Sequence, residues 1–253
     1  MATRMRIRIV SAIYTGGGAG VPSPGTYLRR GADWLESRRK LFGLCSETKI
    51  DTVGIDRGPA SIESRYDEVF AVPEIVRRVK EAEAEGVDAC VINCFGDPGV
   101  RSSREVVSIP VLGPCESSLL MASSLCDRFS VITVLRSVAG LIRENARIYR
   151  LHERLASVRA VDIPVLDLHR DDEGTAAALH EEGRKAIEED GAEALVLGCT
   201  GMSGMAARLG GELGVQVVDP LPAAVKLAET LVSLRLTHSK LAFPAPTEKN
   251  RVM

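Results

Sequence analysis

The chain has 253 residues, 45% apolar and 26% charged, a balance that excludes disorder in a length sufficient for one large or two small buried cores. Thirty-two Lys and Arg against 34 Asp and Glu leave a net charge of −2 with no basic block, which argues against nucleic acid or an anionic membrane as partner. No apolar run approaches the roughly 18 residues of a membrane span, and Met1–Ser11 alternates Arg with Ile and Val in place of a secretory apolar stretch. The expected location is therefore the cytoplasm. The six cysteines, at 45, 90, 94, 115, 126 and 199, are expected to be reduced there.

In chain order, apolar stretches of strand length are predicted at Met5–Ser11, Ile50–Ile55, Val87–Asn93, Ile109–Leu112, Phe129–Leu135, Val158–Ile163, Ala194–Gly198 and Val215–Val218. Helical periodicity predicts helices over Val72–Glu85, Glu116–Cys126, Val138–Tyr149, Thr175–Glu189 and Ala223–Leu236, two of which run into a glycine, Gly86 and Gly191. Alternating strands and helices build parallel βαβ units, so the expected fold class is α/β. Two segments lack periodicity, the Gly/Pro loop Gly16–Gly25 and the polar tail Thr237–Met253. The loop does not read as a phosphate cradle, because Pro22 and Pro24 interrupt the path into a helix and no Lys follows the glycines.

An internal repeat organises these elements. Gly86–Asp97 aligns with Gly191–Met202 at an offset of 105 residues, sharing Gly, Ala, Val, Cys and Gly, and Ile109–Pro114 falls on Val215–Pro220 at an offset of 106. The repeat predicts two pseudosymmetric halves, each a mostly parallel sheet flanked by helices. Residues 1–114 with 220–253 would form the first domain and 115–219 the second, with a site in the cleft between them.

Cys94 and Cys199 stand at equivalent places, where a buried strand ends and the chain turns through Cys-x-Gly. Ligands of open α/β sheets bind beyond the carboxyl ends of the strands, so two related halves would aim both thiols into one cleft. A carbon acid held between them can lose a proton on one face and gain one on the other, provided one sulfur is a thiolate. Main-chain N–H groups of Phe95, Gly96, Thr200 and Gly201 would face the oxygen on which charge develops. A single cysteine after a strand reads more simply as a small buried apolar residue, and Cys45, Cys90, Cys115 and Cys126 are read that way or as surface thiols. Neither metal nor organic cofactor is expected: His152, His169, His180 and His238 lack zinc-ligand companions, the serine nucleophile elbow is absent, and no Lys has a Schiff-base setting.

Three motifs carry a resemblance: Gly58-Pro-Ala-Ser-Ile-Glu-Ser64 with Tyr66-Asp-Glu68, Cys94-Phe-Gly-Asp-Pro-Gly99, and Gly198-Cys-Thr-Gly-Met202. With the tail residues Ser239-Lys240 and Phe243-Pro244, the chain resembles the hydantoin and allantoin racemases of the aspartate/glutamate racemase superfamily. The resemblance implies a cofactor-independent enzyme of two pseudosymmetric α/β domains, a homo-oligomer, with Cys94 and Cys199 as the acid/base pair. It also implies a cyclic ureide substrate, such as a 5-substituted hydantoin, held by Phe95, Gly96, Thr200 and Gly201, with Ser61 and Ile62 on the pocket wall. For Ser61, a role as turn or helix-cap serine stands beside that one.

The chain departs from the family after its first strand, where Ser11-Ala-Ile-Tyr-Thr15 replaces the usual Asn-Pro-Asn-Thr, and Thr200 replaces a common alanine. Tyr14 and Thr15 are then expected at one edge of the cleft, and Thr133 and Arg136 at the matching edge, with Arg136 either clamping a substrate carboxylate or facing solvent. The departures leave a second reaction open on the same site. In it a desulfhydrase would attack the sulfur-bearing carbon of a thiohydantoin with a cysteine, and water would release sulfide. A binding protein without chemistry is a third reading, in which the paired cysteines have no task.

Overall fold

A computed structural model describes residues 5–14, 39 and 43–250. Among them, two four-stranded parallel sheets are built from the two halves of the repeat. The first contains β1 (Arg6–Tyr14), β2 (Lys49–Ile55), β3 (Ala89–Asn93) and β4 (Val111–Leu112) in the order β2-β1-β3-β4. The second contains β5 (Phe129–Thr133), β6 (Leu155–Ala160), β7 (Ala194–Leu197) and β8 (Gln216–Val218) in the matching order β6-β5-β7-β8. The helices are α1 (Arg65–Ala84), α2 (Val100–Val106), α3 (Pro114–Leu125), α4 (Arg136–Ile148), α5 (Asp172–Glu188), α6 (Ala206–Leu213) and α7 (Pro220–Ser233).

The strands are near-continuous apolar runs because helices cover both faces of each sheet. Val10, Cys90 and Ile92 pack under Ala71, Ile75 and Val79 of α1 on one face of the first sheet. Ile7, Ile9, Val91 and Leu112 pack under Leu221, Ala224, Val225 and Ala228 of α7 on the other. That second contact is an exchange between halves. Helix α7 follows β8 of the second sheet yet covers the first, while α3 follows β4 of the first sheet yet buries Cys115, Leu119 and Ala122 in the core of the second. Both helices begin at a proline, Pro114 and Pro220, whose missing N–H is one of the orphan donors of a first turn. The aligned Pro114 and Pro220 thus mark the two crossings of the chain.

Several boundaries differ from the sequence reading. Helix α1 starts at Arg65, seven residues before the predicted Val72, because Ser64 caps it: the Asp67 N–H donates to the serine oxygen at 3.2 Å, and the Asp67 carboxylate accepts from Glu63 N–H. Pro73 sits inside the helix, and Val69, whose carbonyl loses its donor, is exposed so that water can serve it. Strand β6 begins three residues early, while Val161 and Ile163 still donate to the carbonyls of Thr133 and Val134. Helices α2 and α6 were not predicted, being only seven and eight residues long. The tail is structural: Lys240 Nζ donates to the carbonyls of Arg104 in α2 and of Val107 just past its end, and Phe243 lies under the Arg101 and Arg104 guanidinium groups. No helix of the described residues is long and apolar enough to cross a membrane.

Candidate active site

A cavity of about 330 Å³ opens between the carboxyl ends of the two sheets. In each sheet the strand order reverses between the first and third strands, β1 and β3 or β5 and β7, and the crevice at such a reversal is where open α/β sheets bind ligands. Cys94 follows β3 and Cys199 follows β7, and both line the cavity, one from each half.

The Cys-x-Gly turn determines what each sulfur meets. Gly201 N–H donates to Cys199 Sγ at 3.4 Å, and the Gly96 N–H faces Cys94 Sγ and favours its thiolate. A side chain at either glycine would have to displace the end of a neighbouring one. A Cβ at Gly96 would lie 2.8 Å from Glu68 Oε1 and 3.7 Å from the Cys94 sulfur, and one at Gly201 would lie 2.9 Å from Leu168 and 3.4 Å from the Cys199 sulfur.

Burial pushes both thiols above the ordinary cysteine value despite these donors. Cys199 rises to about 11, and Cys94 rises further because the Cys199, Glu68 and Asp97 charges add to its desolvation. The two sulfurs therefore do not ionise together.

Of the residues singled out in the sequence, Cys94, Cys199, Ile62, Phe95, Gly96, Thr200 and Gly201 line the cavity. Phe95 also inserts from the first half into the core of the second. The N–H groups of Gly96 and Gly201 point at sulfur, so a substrate oxygen would fall to the N–H groups of Phe95 and Thr200.

Other placements correct the sequence reading. Ser11 and Ile13 line the cavity and Tyr14 does not, because side chains alternate along β1 and the expectation was one residue out of phase. Thr133 is likewise buried beneath the site, its hydroxyl donating to Gly198 carbonyl at 3.2 Å, and Val134 takes the cavity position. Arg136 is 86% exposed and pairs with Asp162 at 2.9 Å. It belongs to a separate groove of about 640 Å³, lined also by Arg159, which is paired with Glu182, Glu189 and Asp190, and by no cysteine or serine. Ser61 does not line the cavity, and the helix cap is Ser64 instead. Thr15 lies outside the described residues.

Several cavity residues had no signal in the sequence. Asn93 Oδ1 and Ser203 Oγ are buried in its wall without a protein hydrogen-bond partner. Ile13, Val134, Val138, Val165 and Leu166 join Ile62 in an apolar wall. His169 lies between Asp172 and the Gly201 carbonyl. Glu63 bridges the halves, accepting from Val165 N–H at 2.7 Å while its own carbonyl accepts from the Ser137 hydroxyl. Among the described residues no group of three or more His, Cys, Asp and Glu is arranged to hold a metal ion.

The profile of the Asp/Glu/Hydantoin racemase family matches residues 42–228. A hydantoin racemase from Pseudomonas sp. (strain NS671) is 45% identical over 208 residues, 82% of this chain and 84% of that protein. One from Paenarthrobacter aurescens is 40% identical over 81% of this chain and 88% of its own length. Among solved structures, allantoin racemase from Klebsiella pneumoniae superposes with a TM-score of 0.86 at 32% identity, covering 98% of this chain and 96% of that one.

Proposed function

Because the chain belongs to the Asp/Glu/Hydantoin racemase family, and is an isomerase of the racemase kind, we propose that it racemises 5-substituted hydantoins with Cys94 and Cys199 as its acid/base pair. The observation that carries this reading is the matched pair of Cys-x-Gly turns facing one cavity from the two halves, each with a glycine N–H turned toward its sulfur. One thiolate takes the C5 hydrogen as a proton, and the C–H electron pair moves into the adjacent ring carbonyl to give an enolate. The opposite thiol then gives its proton to the other face of C5, and the electron pair returns from oxygen. The ring carbons end unchanged except in configuration, and the charge on sulfur has moved from one cysteine to the other. The N–H groups of Phe95 and Thr200 are the donors available to the enolate oxygen.

The rest of the cavity suits a ureide ring. A ureide alternates N–H donors with carbonyl acceptors, and Asn93 Oδ1 and Ser203 Oγ are the unpaired polar atoms it would satisfy. The wall of Ile13, Ile62, Val134, Val138, Val165 and Leu166 favours an apolar substituent at C5 over the polar chain of allantoin. Reduced thiols, which this chemistry requires, fit a cytoplasmic setting. No relative described above supports the desulfurising reaction.

The test is proton NMR in deuterated water with single enantiomers of 5-isobutylhydantoin across pH 7 to 10. The C5 hydrogen signal should disappear with the ring intact and the optical rotation should decay to zero. The direction of the pH dependence follows from the raised thiol values. Below the value of about 11 at Cys199, the thiolate fraction increases with pH, so kcat/KM should climb by about tenfold per unit across the lower part of the range. A rate already level by pH 7, or no exchange from either enantiomer, would count against the pair. Arg136→Ala tests the revised boundary of the site: loss of an exposed ion pair should cost no more than about 1 kcal/mol of stability and leave the racemisation rate unchanged. A rise in KM measured with a hydantoin would return Arg136 to the site.

A further inference from the structure

The two reacting turns are held in the same way by two unlike side chains. Gly96, whose N–H faces Cys94 Sγ, has its carbonyl engaged by Asn145 Nδ2 at 2.8 Å. Gly201, whose N–H donates to Cys199 Sγ, has its carbonyl engaged by His169 Nε2 at 2.9 Å. A carbonyl oxygen only accepts, so the group facing it must be the amide NH₂ of Asn145 and a protonated Nε2 of His169. Asn145 is buried near the end of α4, which fixes its rotamer. His169 is held by Asp172 at the start of α5, with 2.7 Å between Nδ1 and Oδ1. Both clamps come from the second half of the repeat, so the first-half turn at Cys94 is held across the cleft.

We propose that Asn145 and His169 are a matched pair of positioning residues, each holding a Cys-x-Gly turn by the glycine carbonyl so that the same glycine's N–H stays aimed at the reacting sulfur. The proposal rests on the reading of Cys94 and Cys199 as the acid/base pair. Its physical basis is the freedom of glycine. A residue without a Cβ explores φ and ψ more widely than any other, and a Cβ that would restrict it would press on Glu68 Oε1 at Gly96 or on Leu168 at Gly201. The carbonyl must then be tied down from outside, or the N–H swings away from sulfur. Each N–H favours the thiolate over the thiol, so releasing a clamp makes that one sulfur harder to ionise. The clamps are chemically distinct: an amide, buried and without charge, serves Cys94, while an imidazole one-third exposed on the cavity wall serves Cys199.

The experiment is alkylation by iodoacetamide from pH 7 to 11, with each cysteine followed separately by peptide mass spectrometry. In Asn145→Leu, alkylation of Cys94 at pH 9 should slow by about tenfold with Cys199 unchanged, and His169→Leu should do the reverse, since a hydrogen bond to a charged group is being lost. His169→Gln retains an N–H donor and should restore most of the Cys199 rate, a rescue that a purely structural role would not show. If Asn145→Leu does not fold, Asn145→Ser carries the same expectation. Equal slowing of both cysteines, or of neither, overturns the proposal. Racemisation measured on the same variants separates the two readings. A selective change in alkylation without any change in racemisation leaves the clamps standing and removes the cysteines from catalysis. Unshifted alkylation, where alanine at either cysteine abolishes racemisation, removes the clamps and leaves the pair.

Discussion

Cys94→Ala should lower kcat/KM for racemisation by at least about a thousandfold, the scale of losing a general acid or base from a reaction that needs both. Cys199→Ala should do the same, because turnover in either direction uses one sulfur as base and the other as acid. The variants differ in what survives. With Cys94 absent, the remaining sulfur faces one side of C5 only, so in deuterated water one enantiomer should still exchange its C5 hydrogen without inverting. With Cys199 absent, the other enantiomer should do so. Alanine removes little volume beside a cavity, so both variants should keep the wild-type melting temperature to within a few degrees. Full racemisation in either variant, or exchange of both enantiomers by both, would rule out the two-base scheme.

Asp97→Ala should be the most destabilising single change in the turn that carries Cys94, at roughly 3–5 kcal/mol of a total on the order of 5–15. The Asp97 carboxylate accepts from Cys115 N–H at 3.0 Å, Glu116 N–H at 2.9 Å and the Tyr149 hydroxyl at 2.8 Å. It thereby ties the first-half turn to the N-terminus of α3 and to the residue that ends α4. Without it, two backbone donors and a phenol are left buried and unpaired. Asp97 also has a φ of +54°, a left-handed conformation that aspartate tolerates better than alanine. Tyr149→Phe removes only the phenol donor and should cost about 1 kcal/mol. Burial pushes the Asp97 carboxyl up to about 7 against the pull of its three donors. In the unfolded chain it titrates near about 3.9. A group whose folded value is the higher one stabilises most when protonated and loses that contribution as pH rises through 7. The stability gap between wild type and Asp97→Ala, read from urea unfolding, should therefore be widest at pH 5 and narrower at pH 8. A loss below about 1 kcal/mol at pH 5 would refute the role given to this carboxylate.

The reach of the sequence is clearest at the repeat. Cys94 and Cys199 were identifiable without coordinates because two equivalent strands end in the same Cys-x-Gly, and a strand that runs apolar into a glycine turn is a local pattern. Pro114 and Pro220 were aligned by the same repeat, although the helices they begin were predicted to start at Glu116 and Ala223. The first two turns of α1, ahead of Pro73, were not predicted, since the exposure that lets the helix run through that proline is a property of the surface. Tyr14 and Thr133 were misplaced by one residue in strand phase, as β5 is buried throughout and the Arg-Ile alternation that opens β1 gives way after Ile9 to a continuously buried run through Ala12.

The sequence by itself determined the α/β class, the duplication and the two thiols, because each of these is written in residues adjacent along the chain or repeated at a constant interval. Only the tertiary structure decided what surrounds the thiols: Asn145 and His169 at the glycine carbonyls, Asn93 and Ser203 unpaired in the wall, Glu63 bridging the halves, and Arg136 turned out to Asp162. His169 is 30 residues from Cys199 and Asn145 is 49 from Gly96, at no regular spacing. Such meetings depend on which helix packs over which strand end and which side chain its rotation presents there. That choice is made by the burial of both cores together, not by any pattern local to the residues that meet.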